Sequence, residues 1–378
     1  MRQALGLYIH IPFCRQKCKY CDFYSVTADP ERVRRYVHAL MNDIDQHKEA
    51  CKNKVFDTLF IGGGTPTVIG PYLVDIIKFA HKAFCFTDDA EMTIEANPES
   101  LTYDLLVKLK QAGINRISMG AQSFCNEELR DLGRVHDRDC VIRAYRDCLQ
   151  AGFENINIDL MFGIGHKQCL EDHLSVFSRT LDQILELNPS HISCYNLTVQ
   201  EHTLLYHTIN EYQFASDENE NVMYDMLCRR MAECGYEHYE ISNFAKQDYK
   251  CRHNLKYWRS QEYLGLGPGA HSFLGGVRYS CKCNIDNYIS GMHQIHTEER
   301  LTPSGLSYER LVTGLRLKDG VKYDELSAYF NMVAMKPMLI DLAAHGLVAI
   351  SESGFSLTEQ GFRISNSIIC RLSDYYQG

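Results

Sequence analysis

The sequence contains no block of lysine and arginine, and its charge balance is acidic: 39 basic residues against 48 acidic ones, a formal net charge of −9. Gripping a nucleic-acid backbone takes a concentrated positive patch, so no nucleic-acid partner is expected. No apolar run reaches the length that crosses a bilayer. The opening MRQALGLYIHIPFC lacks a long apolar stretch followed by a small-residue cleavage site. No export signal is therefore read, and a cytoplasmic location is the default. Low-complexity segments are also missing, as are repeats other than an alternation of strand and helix patterns. What remains is ordinary for a globular chain: 378 residues, 23% charged and 45% hydrophobic, enough for one large core and a smaller unit.

One residue type is in excess. Sixteen cysteines are present, and in a cytosolic chain they stay reduced. Most are dispersed among apolar neighbours, as at Cys85, Cys148 and Cys228, where free cysteine packs as a small hydrophobe. Three are different: Cys14, Cys18 and Cys21 fall within eight residues of the stretch IPFCRQKCKYCDF. A structural zinc site uses four ligands, usually two separated pairs, and no second pair of matching spacing exists; Cys281 and Cys283 are separated by a single residue. An iron–sulfur cluster usually takes four thiolates, so a loop offering three leaves one iron open to another ligand. An open iron of that kind can chelate the amino and carboxylate groups of a methionine moiety, with the cofactor carrying the chemistry and the protein positioning it.

Short apolar runs alternate with helical stretches. LGLYIHI, VFDTLFI, EMTIEA, INRISMG, NINIDLMFG, HISCYNL and YEHYEIS read as strands. Helical patterns fall near 30–50, 70–84, 101–112, 137–151, 170–187 and 217–234. The alternation predicts an α/β fold with a parallel sheet, a partial (β/α)6-type TIM barrel over residues 1–245. Polar residues recur at strand ends: Gly62–Thr65, Glu95–Asn97, Gln122 and Asp159. In such barrels the site lies at the C-terminal ends of the strands.

The pattern changes near residue 245. Residues 246–300 read as a connecting segment rich in glycine, aromatics and histidine. Residues 301–378 predict helices near 307–317, 322–330 and 334–345, then a hairpin turning at Ser353-Gly354, which is a small winged-helix-like α+β domain. Its basic residues are sparse, so a packing or lid role is expected rather than DNA binding.

The spacing Cys-x3-Cys-x2-Cys after a first strand resembles the radical S-adenosylmethionine (SAM) superfamily. That resemblance implies a [4Fe–4S] cluster on Cys14, Cys18 and Cys21, with Tyr20, the aromatic before the third cysteine, near the adenine of SAM. FIGGGTPT resembles the glycine-rich strand end that meets the methionine end of SAM. YIHIPFC, GGGTPT, IEANPES, NRISMGAQSF, LGRVH and NIDLMFG are similar to one branch of the superfamily. It contains oxygen-independent coproporphyrinogen III oxidase and the haem chaperones related to it. By that likeness Tyr8, Gly63, Gly64, Thr65, Glu95, Gln122, Arg134 and Asp159 contact SAM or shape its pocket. Taken alone, Arg134 would be an ordinary surface charge and Asp159 an ordinary strand-end turn residue.

Two features divide the branch. The oxidase follows its third cluster cysteine with Gly-Cys and holds a second SAM; this chain has Asp22-Phe23. HNLKYW, from His253 to Trp258, matches the HNxxYW signature of the chaperones. The resemblance therefore implies haem as a ligand, with His253 as its expected axial ligand, Cys251 as the nearby alternative, and Arg252 for a propionate. In this reading the motif is a loop facing the barrel's open end. Implied partners are haem-accepting proteins and an electron donor such as a flavodoxin or ferredoxin, with the chain a monomer or weak dimer. Oxidative decarboxylation of coproporphyrinogen III is the alternative activity. MFGIGHKQ lacks the Leu-Pro-Gly-Gln usual after this strand, so the turn at 164–168 departs from the pattern.

Overall fold

The computed structural model describes residues 4–167, 172–292 and 295–378. Gln168 and the first residues of the expected helix at 170–187 lie outside them. The first strands are β1 (Leu5–Ile11), β2 (Val55–Gly63), β3 (Cys85–Ala96), β4 (Arg116–Gln122), β5 (Asn155–Phe162) and β6 (His191–Asn196). They run parallel and neighbour one another in chain order. Helices α1 (Pro30–Lys48), α2 (Tyr72–Ala83), α3 (Tyr103–Gln111), α4 (Arg138–Gln150) and α5 (His173–Leu187) return the chain between them. Each strand is therefore followed by a crossover, as the alternation predicts.

The helices form for local reasons. In α1, Asp29 accepts the Arg32 N–H, Pro30 opens the first turn, and Val33, Tyr36, Val37, Leu40 and Ile44 recur at helical spacing on the buried face. Asp137 and Asp172 cap α4 and α5 in the same way. Strand interiors are nearly dry, with Leu7, Ile9, Leu59, Ile61, Ile94, Ile117, Ile158 and Ile192 all at 0% exposure. The lumen is polar by contrast: Thr58, Thr93, Arg116, Ser118, Asn157 and His191 are buried inside.

Sequence and structure differ at the sheet's ends. YEHYEIS was expected as a further parallel strand. Its strand, β7 (Glu237–Glu240), instead pairs antiparallel with β8 (Asn243–Ala245), which pairs antiparallel with β6. A tight reversal at Ile241-Ser242 leaves no room for the helix that a parallel connection requires. The extra parallel strand comes from the segment read as a connector: β9 (Tyr263–Leu266) lies alongside β1. It is followed by the antiparallel strands β10 (His271–Leu274), β11 (Val277–Cys281) and β12 (Ile295–Arg300). Among the described residues this sheet has twelve strands in the order β12-β11-β10-β9-β1-β2-β3-β4-β5-β6-β8-β7. Its terminal strands β12 and β7 do not pair with each other, so the barrel is partial.

HNLKYW is also not a loop. It forms α7 (Arg252–Trp258), which follows α6 (Asp217–Glu233) in the order of longer helices. The C-terminal part has α8 (Pro303–Gly314), β13 (Val321–Lys322), α9 (Met332–Ala344), β14 (Val348–Ile350) and β15 (Gly354–Leu357). These strands form a separate antiparallel sheet, β13-β15-β14, over its own core of Leu311, Leu339, Phe355 and Leu372. The helix expected at 322–330 shortens to Tyr323–Leu326. This part is tied to the barrel by backbone bonds from Ile241 N–H to Arg316 O and from Lys318 N–H to Tyr239 O.

Candidate functional site

The C-terminal ends of β2 to β6 surround a cavity of about 560 Å³, in the size range of small-molecule sites. Cys14, Cys18, Cys21, Tyr20, Gly63, Gly64, Thr65, Glu95, Gln122, Arg134 and Asp159 all line it. These residues come from segments more than a hundred positions apart, and the fold brings them to one mouth. Of the expected site residues, Tyr8, His253 and its neighbours Cys251 and Arg252 do not line it.

The cysteine loop is held from below. Phe13 and Cys14 pair with Val26 and Thr27, and Cys21 N–H closes a turn on Cys18 O. Leu205 N–H donates to Lys19 O, and His202 bonds Asp22, so the segment after β6 braces the loop. Gly64 passes directly beneath: a Cβ there would lie 2.5 Å from Phe13 O and 3.0 Å from Cys14 Sγ. Gly63 has φ +119 and its N–H donates to Glu95 Oε2 at 3.0 Å. Only glycine adopts that conformation without strain, which gives GGGTPT its physical reason.

All three thiols are partly exposed. Among the described residues no group of three His, Cys, Asp or Glu side chains converges as a single-ion site would require. The three thiols line one side of the same open cavity, and three thiolates on one loop are the donor set of a cluster with one open corner. Two accept hydrogen bonds that would steady thiolate charge: Thr65 Oγ1 donates to Cys14 Sγ at 3.6 Å and Arg134 Nη1 to Cys18 Sγ at 3.3 Å. Burial pushes the Cys21 thiol up, the cost a bound cation would reverse. The residues present therefore fit a cluster held at three corners.

Arg134 is the hub below the loop. Its Nη2 donates to Asn97 Oδ1 at 2.8 Å and to Gly120 O at 2.6 Å, while its Nε is buried with no partner among the described residues. Burial opposes its charge, but Tyr20 and Cys18 outweigh burial and push its pKa up. Gln122 sits at a break in the register of β4 against β5, in the left-handed region at φ 72, where it accepts the Tyr195 hydroxyl at 3.0 Å. Such a conformation in a residue other than glycine costs about 1–3 kcal/mol and clusters at functional sites.

Two carboxylates face the cavity. Burial first, and then the nearby Asp159, push Glu95 up to about 7. Burial also raises Asp159, although Asn157 Nδ2 donates to it at 2.7 Å. Buried acids that ionise reluctantly are poised for a cationic ligand or for ribose hydroxyls. Sequence reasoning missed Ser118, Ser193, Tyr195, Asn243 and Asn254, which also line the cavity. Four of them are single polar residues in strands, which carry no pattern that would have flagged them; Asn254 lies within HNLKYW, where the expected ligand was His253.

His253 lies at the opposite end. α7 packs under the N-terminal starts of the strands: Lys256 Nζ donates to Ala4 O at 2.9 Å and pairs with Asp57 at 2.7 Å. Glu91 accepts the N–H groups of Arg252 and His253 at 2.9 and 3.0 Å, capping the helix with a carboxylate. The His253 ring is fully buried, stacked on Phe60 and Tyr8. Its Nδ1 bonds Thr58 Oγ1 and its Nε2 the Tyr257 hydroxyl, both at 2.8 Å. Burial lowers its pKa to about 3. As folded, neither ring nitrogen is free to ligate iron, and the motif forms the floor rather than the mouth. Cys251, the alternative ligand, is equally buried, its thiol pushed up to about 12. Tyr8 belongs to this floor, its hydroxyl sharing a 3.0 Å bond with His10 Nδ1. Among the described residues none beyond Asn254 lines the cavity, while Ile241 and Tyr239 of the barrel bond the backbone of the C-terminal part.

A parallel partial barrel with a three-cysteine loop at its open end is the architecture of a radical SAM protein. Residues 8–175 match the Radical SAM superfamily and residues 301–364 the HemN C-terminal domain. The heme chaperone HemW of Bacillus subtilis (strain 168) is 33% identical over 380 residues, covering 96% of this chain and 97% of that protein. HemW of Escherichia coli (strain K12) is 33% identical over 373 residues, 97% of each chain. The solved structure of coproporphyrinogen III oxidase (HemN) from Escherichia coli, described as a radical SAM enzyme, superposes with a TM-score of 0.84. It covers 98% of this chain and 90% of that one, at 23% identity, and so speaks to fold alone. The chain belongs to the HemW family of the radical SAM superfamily.

Proposed function

We propose that this protein is a haem chaperone of the radical SAM type: it binds haem and passes it to acceptor proteins. The observation that carries the reading is the end-to-end likeness to the HemW relatives, which spans barrel, HNxxYW helix and C-terminal part alike. Cys14, Cys18 and Cys21 would hold a [4Fe–4S] cluster, and the remaining cavity residues SAM. When bound, the pair supplies one-electron chemistry at a sulfonium. The chain's own residues do the positioning. Thr65 and Arg134 donate to the cysteine sulfurs, Gly63 and Gly64 let the backbone approach, Glu95 and Asp159 present carboxylates, and Tyr20 walls the adenine side. A flavodoxin- or ferredoxin-like donor would supply the electron, and the chain acts as a monomer or weak dimer. No described helix is long and apolar enough to cross a membrane, and a cytoplasmic location is proposed.

The resemblance of the sequence motifs to the same branch leaves a second reading, oxidative decarboxylation of coproporphyrinogen III. Asp22-Phe23 stands against it, at the place of the Gly-Cys associated with a second SAM, with the Phe23 ring 70% exposed. Incubating reconstituted protein with SAM, a reductant and either haem or coproporphyrinogen III separates the two. Bound haem with a Soret band and no protoporphyrinogen IX supports the chaperone. Product above a cluster-free control overturns it.

A further inference from the structure

A second cleft, of about 400 Å³, lies between the barrel's extra strands and the C-terminal part and is open to solvent. Its walls are aromatic: Tyr257 from α7, Tyr263 from β9, Phe273 from β10 and Tyr308 from α8. Tyr257 and Tyr263 meet edge to face with centroids 4.7 Å apart. Arg278 of β11 sits over the Phe273 ring at 5.3 Å, and its Nη2 donates to Glu309 Oε2 at 2.8 Å. A half-buried guanidinium held by one carboxylate thus stands in an aromatic wall. A separate observation concerns Ser260. Ser260 is one of the cleft's lining residues; its Oγ is buried with no hydrogen-bond partner among the described residues, and its backbone sits at φ +50. A buried hydroxyl left unpaired is costly unless something fills the vacancy.

We propose that this cleft is the tetrapyrrole site: the macrocycle stacks on one tyrosine face and meets the other rings at their edges, and one propionate takes Arg278 in exchange for Glu309. The proposal rests on the haem-chaperone reading and adds where the cargo sits. Aromatic faces suit a flat π-system, and arginine offers a carboxylate two parallel donors. The volume falls within the range of about 300–1,000 Å³ typical of ligand sites. The open side leaves an edge of the ring accessible, as transfer to an acceptor requires. HNxxYW then acts through position. Nε2 of His253 anchors the Tyr257 hydroxyl and so fixes one wall, making His253 a positioning residue rather than an iron ligand. The same helix presents Asn254 to the cluster cavity and Tyr257 to the cleft, and joins the two sites.

The test is an anaerobic titration of cluster-loaded, full-length protein with haemin and with metal-free protoporphyrin IX, with thermal melts alongside to confirm folding. Both porphyrins bind if ring and carboxylate are what is recognised. Arg278→Gln weakens both by about tenfold or more, the value of a charge-assisted hydrogen bond. Glu309→Gln tightens both severalfold, because it removes the competing carboxylate. Tyr308→Ala weakens both. His253→Gln weakens haem binding less than Arg278→Gln and leaves the Soret position unchanged. If wild-type protein binds haem while Arg278→Gln and Glu309→Gln match it or shift together, the cleft is only a seam between domains. Haem binding without protoporphyrin binding also overturns the site. If wild-type protein binds neither porphyrin, the chaperone reading itself fails.

Discussion

The two ends of the barrel are made from the same strands but solve opposite problems. At the C-terminal end polar groups are left wanting: Arg134 Nε has no partner among the described residues, Glu95 and Asp159 are buried beside each other, and three thiols stand at the mouth. At the N-terminal end the groups of α7 and their immediate neighbours are paired, although Arg116 Nε nearby is buried with no partner among the described residues. Glu91 caps α7, Asp57 pairs with Lys256, and both nitrogens of His253 are bonded. Unmet polar demand inside a fold marks a place for something else, and met demand marks structure. The sequence motifs at the two ends looked equally functional; the hydrogen bonds tell them apart.

The largest effect belongs to the cysteine loop. Replacing Cys14, Cys18 or Cys21 by Ala should abolish the broad visible absorbance of anaerobically reconstituted protein, while Cys281→Ala and Cys283→Ala retain it. Loss of the cluster on changing Cys281 with survival after changing Cys14 would break the comparison at its stronger end.

Next comes the floor. His253→Ala strands the hydroxyls of Thr58 and Tyr257 and opens a void beside Phe60, and should cost about 3 kcal/mol of stability in urea unfolding. Asn254→Ala, one residue along but facing the cavity, should cost less than about 1 kcal/mol. Equal costs would show that the floor is not the tightly satisfied end.

The two ends should also respond to pH with opposite sign. Glu95, facing Asp159, Arg116 and the Gly63 N–H, has a folded pKa of about 7 against an ordinary 4.5. Between those values the folded chain keeps a proton that the unfolded chain has released, so stability falls as pH rises. His253, facing Lys256 and Arg116, has a folded pKa of about 3 against 6.5. There the unfolded chain takes up the proton, so stability is lost as pH falls below 6.5. Each group contributes a slope of about 1.4 kcal/mol per pH unit within its window. In cluster-free protein, Glu95→Gln should flatten the first slope and His253→Gln the second, read from unfolding free energies across pH 4 to 8 (a range of about four units).

The smallest effect is chemical. In cluster-free native protein an alkylating reagent should modify the partly exposed Cys14 and Cys18 and leave Cys251 untouched until unfolding, as mass spectrometry of peptides would report. Native labelling of Cys251 would mean that the floor opens.

Much of the cluster site was legible because it is local. Three thiols on one loop and a glycine triplet at one strand end are patterns within a dozen residues, and Glu95, Gln122, Arg134 and Asp159 came with the family resemblance. The extra sheet strands were not legible: Tyr263–Leu266 is only four residues long, without a period, and becomes a strand because β1 offers it an open edge. The direction of β7 escaped for a similar reason, since Tyr236–Ser242 shows β propensity but not its pairing partner.

By itself, then, the amino-acid order determined the βα alternation, the helix caps and the thiol spacing, because these depend on neighbours along the chain. Which end of the barrel a motif would occupy depended on contacts between residues far apart. His253 reads as an iron ligand at the open end until Thr58, Phe60 and Glu91, between 162 and 195 residues upstream, close around it. Burial and hydrogen-bond satisfaction are properties of the assembled fold, and here they turned a ligand motif into a floor and uncovered a cleft beside it.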